Sequence, residues 1–234
     1  MEAFLRSLPG RVPEVPAAIL VISAHWETSG FHLTGHARPP LIYDYSGFPP
    51  ETYALRYEVK GSPAVAAEAA ALLQGRGLPV QVDAHRGLDH GVFVPLKVAF
   101  PEASVPVLEM SVDRGLDPAL HLAAGRALAP LRDRGVLMIG SGMSFHNLRG
   151  FGDQRFTRPS QTFDRWLTST VEQSGDDRAV RLGRWREAPG GLESHPEAEH
   201  LIPLMVAAGT SGRPGERIYS DMVLGAAVSG YRFA

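Results

Sequence analysis

The sequence predicts an α/β fold. The expectation is a single domain over residues 1–234, with a largely parallel central sheet and helices on both faces. Three observations carry it. Short apolar runs rich in β-branched residues, Ala17–Ser23 and Val136–Ser141, read as strands buried on both faces. Segments with helical starts alternate with such runs, the pattern of a parallel sheet with crossover helices. The 234 residues, 44% hydrophobic and 21% charged, contain no linker long enough to separate two cores.

Taken in order, Phe4–Pro16 reads as a helix and turn leading into the strand Ala17–Ser23. Ser62–Gly75 is a helix, with Ser62 as N-cap and Pro63 at the first helical position. Pro79–Asp83 and Val105–Ser111 are strands, with an apolar helix-like run, Val92–Phe100, between them. Asp117–Arg134 is a helix, capped by Asp117, opened by Pro118 and ended before Gly135. Val136–Ser141 is a strand, Thr162–Val171 and Pro196–Ala208 are helices, and Ala226–Phe233 is the last strand. Within the helix over 196–208, Pro203 is expected to kink the chain.

Composition removes several classes of function. With 23 Lys+Arg against 25 Asp+Glu, the formal charge is −2, so there is no cationic excess to neutralise phosphates and nucleic acid is not an expected partner. Zero cysteines exclude disulfide scaffolds, thiolate nucleophiles and Cys-type metal sites. The longest apolar run, Pro16–Ala24, is far short of the roughly 20 residues a membrane helix needs, and no basic segment precedes an apolar one near Met1. A cytoplasmic protein without a membrane partner is the expectation. There is no Gly-x-Gly-x-x-Gly turn, no phosphate-binding loop and no Gly-x-Ser-x-Gly elbow.

Nine histidines remain as the chemistry-bearing residues, and four have informative positions. In open α/β sheets ligands bind beyond the carboxyl ends of strands. His25 ends the first strand, in Ser23-Ala24-His25-Trp26, where an imidazole faces that crevice; a hydrogen-bonded loop histidine is the plain alternative. His146 follows the strand Val136–Ser141 through small residues that permit a sharp turn, which suits a general base, a ligand or a structural turn. His200 lies just inside the predicted helix beside Glu197 and Glu199, which could lend a carboxylate to a metal or favour the helix N-terminus. His90, in Asp89-His90-Gly91, stands before the helix-like run and either orients a substrate or caps that helix. Without cysteine, a transition-metal site must use imidazole and carboxylate, which suits zinc or non-haem Fe(II).

At these residues the sequence resembles the class III extradiol ring-cleavage dioxygenases of the DOPA 4,5-dioxygenase type. The matching segments are SAHW (Ser23–Trp26), PPLIYDYSGFP (Pro39–Pro49), YEVKGSP (Tyr57–Pro63), LDHGVFVPL (Leu88–Leu96), SGMSFHNLR (Ser141–Arg149) and EHLIPL (Glu199–Leu204), in family order over nearly the whole chain. The resemblance implies that His25 and His200 are metal ligands, that His146 is the catalytic acid/base, and that His90 is a second catalytic histidine touching substrate or oxygen. It implies that Asp44, Tyr45 and Phe48 line the substrate pocket. It also implies Fe(II) as the working cofactor, Zn(II) as an ion the same donors accept, and a small aromatic diol and O₂ as substrates.

The family begins with a strand running into Gly-His-Gly-Ser-Pro, whose histidine is a third metal ligand; no histidine precedes His25 here. The sheet is therefore expected to lack one strand, and a homo-oligomer that covers the open edge is one expectation. Two other readings follow: a metal-binding relative without catalysis, its site incomplete, and a zinc-dependent hydrolase using metal-bound water.

Overall fold

The computed structural model spans residues 1–234 and divides into two compact units, Met1–Arg114 with Pro130–Ser141, and Gly115–Ala129 with Gly142–Ala234. The first unit carries helix α1 (Glu2–Ser7), strands β1 (Ala18–Thr28) and β2 (Phe31–Thr34), helix α2 (Pro63–Gln74), strand β3 (Val80–Asp83), helix α3 (His90–Ala99), and strands β4 (Val107–Asp113) and β5 (Val136–Ser141). Its five-stranded sheet has the order β3-β2-β4-β1-β5. The pairs β1/β4, β1/β5 and β2/β3 are parallel; β2 meets β4 antiparallel through Leu33 and Met110. The expected largely parallel sheet with helices around it is therefore present.

Ala18 to Ala24 are buried without a break, and so are Val107 to Val112. Successive strand residues point to opposite faces, so both faces of these central strands are covered. Ile19, Leu20, Val21 and Ile22 are each essentially inaccessible, and burial of each contributes roughly 1.5–3 kcal/mol. Val92, Phe93 and Leu96 of α3 pack against Ile19, Val21 and Val107 in the core of this unit.

The second unit carries helices α4 (Pro118–Leu128), α5 (Thr157–Val171), α6 (Gly175–Gly183), α7 (Gly191–Ser194) and α8 (Ile202–Gly209), followed by strands β6 (Gly215–Val223) and β7 (Ala226–Phe233) in an antiparallel hairpin. The Asp117 side chain caps α4 by accepting from the Ala119 N–H. Where α4 and α8 cross, a Cβ on Gly125 would stand 2.8 Å from the Gly209 Cα and collide with the Val206 carbonyl, so glycine sets the approach of the two backbones. Arg178 of α6 is buried, and its guanidinium donates to the main-chain carbonyls of Gln173, Ala208, Ser211 and Arg213. No helix of the chain is long and apolar enough to cross a membrane.

Several elements differ from the sequence expectation. The first strand does not end at Ser23 but continues to Thr28. The helix from Pro118 stops at Leu128, and Ala129–Arg134 winds as 3₁₀, because Pro130 has no N–H to continue the α pattern. The helix expected over 196–208 begins only at Ile202; Pro203 lies in its first turn and opens the helix rather than kinking it. Residues 196–201 form bends and turns, so His200 precedes α8. The last strand pairs only with β6 and is not part of the five-stranded sheet.

Candidate active site

His25 owes its position to an irregularity in β1. The register with β4 runs Ile22 to Met110 and then resumes at Glu27 with Val112, so Ser23–Trp26 bulge away from the ladder. Bulges re-aim side chains, and here burial changes at the same point: Ala24 is inside, His25 exposed, Trp26 inside again.

A buried polar network holds that bulge. The Ser23 hydroxyl donates to both oxygens of Asp89, at 2.9 and 3.0 Å, and accepts from the His25 backbone N–H at 3.2 Å. Asp89 in turn donates its backbone N–H to Glu109 Oε2 at 3.1 Å, and Arg86 lies 3.4 Å from Asp89 and 3.5 Å from Glu109. The Arg86 guanidinium also sits 4.2 Å over the Trp26 ring, a cation–π contact. Burial, with the neighbouring Asp89 carboxylate, pushes Glu109 well above the usual carboxylate range, and Arg86 only partly opposes it.

Gly91 borders the same network. A Cβ there would stand 2.8 Å from Ser23 Oγ, 2.9 Å from His25 Cδ2 and 3.1 Å from Asp89 Oδ1. Gly91→Ala is expected to displace the His25 ring, at an overpacking cost of about 1–3 kcal/mol. Thermal melts with metal analysis check this: the prediction is a folded protein that retains less metal, and unchanged metal content with an unchanged melt contradicts it.

Asp44 reaches His90 because the two chain segments are tied just before both residues. Leu41 and Leu88 form a parallel bridge, with Leu88 N–H donating to the Pro40 carbonyl and Ile42 N–H to the Leu88 carbonyl. Asp44 Oδ1 then accepts from the His90 backbone N–H and faces its ring Nδ1, both at 2.9 Å. His25 Nδ1 lies 4.0 Å from Asp44 Oδ2, and the His25 and His90 rings are 3.9 Å apart. Burial raises the Asp44 pKa, but the His90 hydrogen bonds outweigh it and hold the carboxyl below its ordinary value. Tyr45 meets His90 edge-on at 5.5 Å and also touches Phe48, Tyr53 and Phe93, an aromatic cluster beside the imidazoles. Phe48 is 60% exposed and Tyr43 36%.

The second unit holds a similar cluster. Glu199 Oε1 faces His146 Nδ1 at 3.1 Å and His200 Nδ1 at 2.9 Å. The two rings stack at 3.3 Å, 18° from parallel. Backbone bonds from Met143 N–H to the His200 carbonyl and from His146 N–H to the Ser194 carbonyl tie the 142–147 loop to the 194–200 turn. A Cβ on Gly142 would run into the His200 carbonyl, so this contact requires glycine. Burial lowers the His146 pKa, with Glu199 opposing; burial raises Glu199, and His200 and His146 more than offset it, leaving that carboxyl below its usual value.

The expected residues thus fall into two clusters, His25–Asp44–His90 in the first unit and His146–Glu199–His200 in the second, each with its ligand atoms within 4.8 Å of one another. Two imidazoles and a carboxylate suit a borderline divalent ion such as Fe(II) or Zn(II). Glu199 Oε2 is buried with no hydrogen-bond partner, an acceptor that a cation would satisfy. The donor sets therefore fit a metal. Ser23, Arg86 and Glu109 were not legible as site residues, although one glutamate inside the apolar run VPVLEMS was a signal that a buried partner had to exist.

His195 is fully buried beside the edges of Phe163 and Trp185. Neither ring nitrogen is well placed for a partner, the Ser144 backbone giving weak support. Burial depresses its pKa to about 4. Because the folded value lies below the ordinary 6.5, its contribution is complete above pH 6.5 and is lost as pH falls towards 4. That loss amounts to about 3 kcal/mol. Melting temperature measured between pH 7 and 4 should fall more steeply in the wild type than in His195→Gln, and parallel curves contradict the assignment.

Comparison with known proteins identifies the family of the chain. Residues 7–229 match the family model described as the catalytic LigB subunit of aromatic ring-opening dioxygenase. The dioxygenase tasH of Hapsidospora irregularis is 40% identical over 253 residues, covering 98% of this chain and 78% of that protein. The 4,5-DOPA dioxygenase extradiol of Beta vulgaris is 40% identical over 206 residues (84% and 74%), and that of Escherichia coli K12 is 35% identical over 198 (83% and 72%). The crystal structure of an uncharacterized Escherichia coli K12 protein superposes with a TM-score of 0.82 at 27% identity, covering 100% of this chain and 91% of that one. A family match over nearly the whole length, carried through the segments that hold both histidine–carboxylate clusters, makes this chain a member of the class III extradiol, aromatic ring-opening dioxygenase family.

Proposed function

We propose that this protein opens the ring of a catechol-type aromatic diol with O₂, cleaving beside the two hydroxyls. The observation that carries the reading is the grouping of the family-matched histidines with carboxylates into two metal-competent clusters. His25 in the first cluster and His200 in the second are the proposed metal ligands, Glu199 is a further donor beside His200, and Fe(II) is the working ion. When bound, the ion lowers the pKa of a diol hydroxyl and templates the reactants.

The chain's own residues handle protons and the ring. Glu199, as an ionised carboxylate, only accepts, so the His146 ring turns Nδ1–H towards it. Nε2 of His146 is then the atom that takes the second hydroxyl proton and returns it, the general acid–base role. His90 is the second catalytic imidazole. Tyr45 and Phe48 offer aromatic surface beside it, and edge-to-face contact with a substrate ring suits that surface.

Oxygen uptake by Fe(II)-loaded protein across a panel of catechols tests the reading. The expected result is catechol-dependent uptake with a yellow ring-opened product. Loaded protein that binds iron but consumes no oxygen with any of them would instead support the non-catalytic relative.

A further inference from the structure

We propose that Asp44 is a positioning residue that fixes His90 as the Nδ1–H tautomer, so that the lone pair of this imidazole is presented from Nε2. The inference deepens the proposed function and rests on it only for the catalytic meaning of His90. The sequence resemblance implied a different task for Asp44, lining the substrate pocket. The geometry points elsewhere, because Asp44 Oδ1 is already engaged twice by one residue, at 2.9 Å from the His90 backbone N–H and 2.9 Å from its Nδ1.

An ionised carboxylate has no proton to donate, so the ring nitrogen facing it must carry the hydrogen. The residue nominally capping α3, Asp89, has no side-chain bond to that helix, being turned to Ser23 and Arg86. Asp44 therefore satisfies an otherwise open N–H at the helix start from 46 residues away, while locking the ring above it. The His25 ring at 3.9 Å and the edge of Tyr45 at 5.5 Å restrict His90 on other sides. A carboxylate holding the far nitrogen of a functional imidazole is a recurrent way to set tautomer and ring orientation.

A helix cap alone and a tautomer lock predict different results. The full chain, zinc-loaded so as to be diamagnetic and labelled with ¹⁵N-histidine, is read by long-range ¹H–¹⁵N correlation at mildly alkaline pH. His90 signals are assigned by their loss in His90→Gln. In the wild type His90 is expected to show a protonated Nδ1 and an unprotonated Nε2. Asp44→Ala is expected to shift the population to the Nε2–H form, and Asp44→Asn, whose side-chain oxygen still accepts, to keep a larger share of Nδ1–H. With Fe(II), Asp44→Ala should lower kcat at least tenfold with little change in KM. An Nε2–H ring in the wild type, or an unchanged tautomer in Asp44→Ala with only a lower melting temperature, overturns the proposal in favour of a cap. A rise in KM without loss of kcat overturns it in favour of substrate binding. Should no catechol be turned over, the nuclear magnetic resonance result still decides the tautomer, so failure of the proposed function is distinguishable from failure of this inference.

Discussion

Replacing His146 by alanine is expected to leave bound metal largely in place while reducing ring-opening turnover by about 10²–10⁴-fold. Its ring faces Glu199 through Nδ1 and stacks on His200, so its removal deletes a proton carrier and not a ligand in the proposed assignment. His200→Ala and His25→Ala should behave in the opposite way and release metal, since each removes a proposed donor. Metal quantified per chain in the three purified variants, beside turnover, separates the roles. Equal metal loss in all three would make His146 a ligand as well. Zinc in freshly purified protein agrees with the assignment, because such sites favour zinc over ferrous iron in affinity. Having no redox chemistry of its own, the zinc-loaded form should be silent towards oxygen.

Asp89→Ala is expected to destabilise the fold by about 1–3 kcal/mol, the cost of leaving the buried Ser23 hydroxyl without its acceptor. Asp89 is fully buried and is the acceptor for Ser23 Oγ and the nearest anion to Arg86. Its loss leaves Arg86 with Glu109 and the Trp26 ring alone and releases the bulge that carries His25. Glu109→Gln is the control, and it should cost less than Asp89→Ala. Burial and the Asp89 carboxylate favour the uncharged form of Glu109, and an amide oxygen still accepts the Asp89 N–H. The sign of the pH effect follows from the same elevation. A carboxyl whose folded pKa exceeds its unfolded one contributes fully below the unfolded value, and that contribution disappears as pH rises through the folded value. Urea unfolding against pH should therefore show, in the wild type, a limb of stability that declines as pH rises above the ordinary carboxyl value, and Glu109→Gln flattens it. A mild Asp89→Ala, or an unaltered limb in Glu109→Gln, contradicts the network as described.

Much of this was legible in the residues. Val136–Ser141 and Ala226–Phe233 stand at the predicted bounds, each opening on apolar residues directly after a glycine, Gly135 and Gly225. Phe31–Thr34 was not legible: four residues with one histidine and one threonine show no period, and the strand exists because Phe31–Thr34 pairs with Val80–Asp83. Gly215–Val223 was hidden by its largely polar, exposed face, and is held by its partner in the hairpin. Around His200 two prolines competed as helix starters; Pro203 serves, and the residues from Pro196 turn instead, which is what places Glu199 between two imidazoles. Individual site histidines could be picked from strand ends and small-residue turns. Glu199 could be named from its place beside His200, but the pairing of Asp44 with His90 could not, because it depends on a backbone bridge between Leu41 and Leu88 that no local pattern announces.

Turnover of a catechol under ¹⁸O₂ by the Fe(II)-loaded protein, with the product trapped at once and weighed by mass spectrometry, addresses the ring-opening claim most directly. The expected product has gained both atoms of one oxygen molecule, one in the new carboxylate and one in the new carbonyl group beside the cleaved bond. Iron-loaded protein that gives no ¹⁸O-labelled ring-opened product would contradict the claim, and these two histidine–carboxylate clusters would then serve a different reaction.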